Sequence, residues 1–169
     1  MRRHLLYGLG FCLLAAGCAN YQLGPTGALP FHTLYVSPVK NNGYAPQAQA
    51  LVSEALRESL MQEGNLQLTN QANADATLDV VLLDYKQSIA ATSSNNTLNA
   101  QSYNITLSAN CTLVDNRSGK VYFKDLEVNA TEETFVQSTN NLAEPSYQTM
   151  PILARDMGKK ITDAVVSTW

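Results

Sequence analysis

Residues 102–114, SYNITLSANCTLV, alternate apolar and polar side chains over most of their length. Ile105, Leu107, Ala109, Cys111 and Leu113 share one parity, while Thr106, Ser108, Asn110 and Thr112 share the other. A period of two sets the two groups on opposite faces of a pleated strand. The segment therefore belongs to a sheet with one buried face and one face able to meet water. Asp115, Asn116, Arg117, Ser118 and Gly119 follow as turn formers, and residues 121–135 read as a returning strand. The two strands make a hairpin.

Something apolar must cover the buried parity, and the chain offers two helices. Residues 46–63 open on Pro46 and are followed by Gly64; Ala48, Leu51, Val52, Ala55, Leu56, Ser59 and Leu60 recur at three and four. Residues 145–168 repeat the pattern with Met150, Leu153, Ala154, Met157, Ile161, Ala164 and Val165. Further strands are expected at 32–39, where Pro38 marks an edge or an end, and at 77–89, with a short extended piece at 66–68. Residues 78–83 are apolar at nearly every position after Asp79, which predicts a central strand covered at least partly on both faces. The Ser, Thr and Asn content of residues 90–101 and 138–144 predicts loops. Together these elements predict an α+β fold. It is a two-layer sandwich, with an approximately four-stranded mixed sheet carrying two amphipathic helices on one face. The other sheet face is left uncovered.

The N-terminal region has a different character. Arg2, Arg3 and His4 precede an uncharged run at 5–16, which at ~1.5 Å per residue reaches roughly 18 Å, short of the ~30 Å hydrocarbon core. Residues 1–17 therefore read as a signal peptide. Ala15, Ala16 and Gly17 ahead of Cys18 resemble the lipobox of bacterial lipoproteins, which implies acylation of Cys18. Residues 18–30 then form a lipidated tether, and residues 31–169 a single domain. Ala19, in place of an Asp, implies an address on the periplasmic side of the outer membrane. More than one acyl chain holds a protein stably at a bilayer, so the domain needs no apolar membrane patch of its own.

Loss of Arg2 and Arg3 with the signal moves the net charge from −3 to −5, which disfavours nucleic acid as a partner. Charged residues are 15% of the chain against roughly 25% in soluble domains, so amides and hydroxyls supply the exterior polarity. Cys12 leaves with the signal and Cys18 is modified, leaving Cys111 on the apolar parity of its strand as a buried small hydrophobe. His32 is the one histidine outside the signal, a poor basis for a metal site or a catalytic triad. Asp79 and Asp84 fall on opposite parities, so no carboxylate pair is indicated. No catalytic residue, cofactor or metal is expected.

The strings LYVSPVKNNGYAPQAQALVSEALRESLMQEGNLQL, ADATLDVVLLDY and LSANCTLVDNRSGKVYF occur in that order. With the lipobox, they resemble the LptE family of lipopolysaccharide-assembly lipoproteins. The resemblance implies a non-catalytic plug and assembly partner inside the LptD β-barrel of the outer membrane, in contact with lipopolysaccharide. Binding that ligand's phosphates and acidic sugars calls for Lys or Arg. Arg117, Lys120 and Lys124 around the hairpin, and Lys86 beyond the central strand, are the candidates. The alternative is another outer-membrane lipoprotein adaptor of similar fold, such as a secretion-channel pilot or a barrel-assembly accessory.

Overall fold

The computed structural model describes residues 29–43, 45–93, 96–135 and 145–168. The signal segment, Cys18, the tether up to residue 28, the loop expected at 138–144 and Trp169 lie outside the described residues. Within them the elements are β1 (Thr33–Val36), β2 (Lys40–Asn41), α1 (Pro46–Gln62), β3 (Gln67–Leu68), β4 (Ala76–Ser93), β5 (Asn96–Asp115), β6 (Val121–Phe135) and α2 (Pro145–Val166).

The sheet runs β3-β1-β4-β5-β6, and β2 also pairs with β4. β1 is parallel to both β3 and β4, whereas β4, β5 and β6 form an antiparallel meander. The parallel pair is possible because α1 and β3 make the crossover between β1 and β4. The sheet is mixed, as expected, but has six strands rather than about four. Both extra strands are two residues long. Pro38, which lacks an N–H, ends the first strand at Val36, and the chain resumes beside β4 at Lys40.

Each helix supplies one apolar stripe. Ala48, Val52, Leu56 and Leu60 of α1 are fully buried, as are Met157, Ile161 and Val165 of α2. They cover Leu34, Leu78, Val80, Leu82, Ile105, Leu107, Ala109, Cys111 and Leu113 of the sheet in one contiguous core. Each large aliphatic side chain so buried contributes roughly 1.5–3 kcal/mol. The helices also pack against each other at Gly158, where a Cβ would lie 2.8 Å from the backbone of Ala55 and Leu56.

Three expectations are corrected. Residues 90–101 are not a loop: β4 extends to Ser93 and β5 begins at Asn96. The backbone ladder of a hairpin needs no apolar face, so polar composition there did not prevent strand formation. The central strand is covered on one face only. Ala76, Leu78, Val80 and Leu82 are buried, whereas Val81 is half-buried and Leu83 is 37% exposed on the other side. A register shift at Leu83 changes the parity of β4, so Asp79 and Asp84 share the open face, on the order of 15 Å apart along the strand. Gly64 lies just past the end of α1, as expected, and Glu63 before it turns out of the helix with φ −76° and ψ 105°.

Candidate functional site

Two features stand out on the side of the molecule that the helices leave free. The first is the open face of the meander. Because β4, β5 and β6 are in register, polar residues line up in rows across three strands: Lys86 with Thr106 and Thr131, Asp84 with Ser108 and Asn129. The next row joins Val81, Asn110 and Glu127. Side chains within and between rows hydrogen-bond. The Thr106 and Thr131 hydroxyls are 2.9 Å apart, the Ser108 hydroxyl donates to Asn129 Oδ1 at 2.5 Å, and Asn129 Nδ2 donates to Glu127 Oε1 at 2.9 Å. Cross-strand pairs of this type contribute roughly 0.2–1 kcal/mol each. Lys86 Nζ lies 3.1 Å from Asp84 Oδ2, and the hydrogen bond from Lys86 holds the Asp84 carboxyl below its usual range. The result is a broad surface of hydroxyls and amides that both donate and accept hydrogen bonds, with an acidic excess from Asp79, Asp84, Glu127 and Glu133 against Lys86.

The second feature is the β5–β6 turn. Asp115 Oδ1 accepts the N–H groups of Arg117 and Ser118 at 2.8 and 2.7 Å, and the Tyr122 hydroxyl donates to Asp115 Oδ2. Those backbone donors keep the Asp115 carboxyl low. Gly119 takes the left-handed conformation at φ +70°, where a side chain would be strained. The turn is tied to the rest of the sheet through Asn116 and Arg117. Asn116 Nδ2 donates to the Ala74 carbonyl at 2.8 Å, and its Oδ1 accepts from Thr77. The Arg117 guanidinium pairs with the Asp75 carboxylate. Asp75 Oδ2 also accepts the N–H groups of His32 and Thr33, each at 3.1 Å. The bond from His32 is the main reason that this carboxyl sits below the usual range.

The four candidate cations do not converge. Arg117, Lys120 and Lys124 share the hairpin, but Lys86 pairs with Thr106, roughly 30 Å along the sheet from the Ala76–Asp115 row. Arg117 is engaged by Asp75. Lys120 Nζ lies 5.0 Å over the Tyr122 ring. Lys124 is exposed in a bulge beside Asp125, whose φ is +50°. His32 occupies the entry to β1, as its position suggested. Burial pushes the Cys111 thiol up to about 12. Among the described residues no three His, Cys, Asp or Glu side chains are grouped as metal ligands would be. Asp75 and Asn116, which organise the turn, were not singled out as a clasp by sequence reasoning, because their partners lie about forty residues away.

The profile of the LptE lipopolysaccharide-assembly family matches residues 31–168, nearly the whole sandwich. The chain belongs to the LptE family. That membership favours the LptE reading over the other adaptors of similar fold. No curated protein matches the chain. Solved structures share this fold at low identity. A hypothetical protein from Chlamydia trachomatis is 13% identical with a TM-score of 0.60, covering 82% of this chain and 97% of its own. A Xanthomonas campestris protein is 12% identical at 0.58, covering 86% and 91%. Uncharacterized lipoprotein B from Nitrosomonas europaea is 15% identical at 0.54, covering 87% and 88%. These similarities establish the fold.

Proposed function

We propose that this LptE-family protein is anchored through acylated Cys18 on the periplasmic side of the outer membrane. There the 31–169 domain serves as plug and assembly partner of an LptD-like β-barrel in lipopolysaccharide transport, with no reaction of its own. The observation that carries this reading is the open sheet face. Wide outer-membrane barrels have a polar lumen. A plug inside one needs a surface that satisfies hydrogen bonds with water and the barrel wall, and the hydroxyl- and amide-rich rows through Thr106, Ser108 and Asn110 have that chemistry. The helices are engaged in the core and leave this face free for a partner.

Contacts with lipopolysaccharide phosphates are proposed at Lys86, Arg117, Lys120 and Lys124. A net charge of −5 after signal removal means that any such contact is local rather than a whole-surface effect. Lys120 and Lys124 are the sharper candidates, since Arg117 is held by Asp75 and Lys86 by Asp84. The test of the function is isolation from detergent-solubilised outer membranes. An LptD-like barrel recovered in comparable amount supports the reading; a secretin, or no barrel, overturns it. For the ligand, Lys120→Glu with Lys124→Glu is expected to weaken lipopolysaccharide binding, and unchanged binding removes those two residues from the site.

A further inference from the structure

The described chain enters the domain at one end of the meander. Leu29 and Phe31 are buried, and the Phe31 ring lies 5.5 Å from that of Tyr122. His32 and Thr33 are bound to Asp75, and Asp75 to Arg117 of the β5–β6 turn. Leu34 is level with Ala76, and Ala76 with Asp115, so β1 begins at the turn end of the sheet, opposite the β4–β5 tip. From Ala76 to Thr92 the strand covers sixteen steps, about 53 Å. Cys18 and Leu29 are eleven residues apart, a reach of at most about 38 Å even fully extended. The tether is shorter than the blade it carries.

Charge is distributed along the same axis. Residues 87–114, which run out to the β4–β5 tip and back, contain no charged side chain. Residues 115–125 contain Arg117, Lys120 and Lys124 against Asp115 and Asp125, and Arg117 is paired with Asp75. This end is therefore balanced in charge with Lys120 and Lys124 exposed, whereas β6 carries Glu132 and Glu133 toward the other end. Lysine and arginine beside an anionic bilayer are attracted to its surface. Chain length and charge thus favour the same orientation.

We propose that the β5–β6 turn faces the phospholipid headgroups of the leaflet holding the anchor, with the β4–β5 tip kept away from that surface. This rests on the acylation of Cys18. The test uses the full acylated chain in vesicles of phosphatidylethanolamine and phosphatidylglycerol carrying a headgroup energy acceptor. A donor dye is attached in separate samples through Ser118→Cys or Thr92→Cys, with Gln71→Cys as a second position at the turn end. The buried Cys111 thiol does not compete for the dye. The protein is expected to float with the vesicles, with transfer from positions 118 and 71 about twofold or more above that from 92, given their separation along the blade. Flotation with equal or greater transfer from position 92 overturns the orientation and leaves the anchor intact. A chain that does not float overturns the anchor, and the orientation with it.

Discussion

Asp75 shows how much one side chain can organise. Its carboxylate is 12% exposed and joins three segments distant in sequence: the start of β1 through two backbone N–H groups, β4 by its own position, and the β5–β6 turn through Arg117. Removing an acceptor that serves part-buried donors costs about 1 kcal/mol, so Asp75→Ala is expected to lower unfolding stability by that amount at pH 7. The pH dependence has a definite sign. The folded carboxyl sits below its unfolded value of about 3.9, so its contribution is complete above that pH and is lost as pH falls through the folded value. Urea titrations at pH 7 and pH 3 should show a wide gap between wild type and Asp75→Ala at the first and a narrow one at the second. A gap unchanged with pH would assign the effect to packing instead. At this scale the sequence is least legible. That His32 enters a strand follows from local pattern, but that its N–H finds a carboxylate 43 residues on follows only from the pairing of β1 with β4.

At the scale of elements, periodicity carried most of the information. The alternation at Ile105 to Leu113 and the three-four spacing from Ala48 to Leu60 are read directly as burial in the structure. Where the reading failed, the pattern was local and the cause was not. Leu83 adds one residue to β4, which moves Asp84 and Lys86 to the face that Asp79 occupies. The polar stretch at 90–101 is strand in β4 and β5 because its backbone pairs across the hairpin, Ala91 with Ser102, Thr92 with Ala100 and Ser93 with Asn96. Gly158 carries a different message, invisible until the helices are placed. Its missing side chain lets α2 approach the α1 backbone at Ala55. Gly158→Ala forces helix separation and is expected to cost about 1–3 kcal/mol. In a domain of this size that lowers Tm by about 2–4 °C per kcal/mol. Thermal unfolding measures it directly; an unchanged or raised Tm would mean that the helices tolerate the added methyl.

For the whole molecule, the two layers differ in purpose. The helices and the inner sheet face form the core, and the outer sheet face is left as ordered rows of hydroxyls and amides. Low charge and high amide content foreshadowed such a surface from composition alone, but the alignment of Thr106 with Thr131 and of Ser108 with Asn129 required the register of three strands. The LptE-family assignment gives that surface its context, and the proposed seat inside a barrel gives it a use. Site-specific photocrosslinking in intact cells tests this most directly, with the crosslinker placed at Thr106 or Asn110 on the open face and at Arg155 on the exposed side of α2. Covalent capture of an LptD-like outer-membrane barrel from positions 106 and 110 is the result expected. With the protein present at its normal level, no barrel captured from either open-face position would contradict the claim that this face seats the plug.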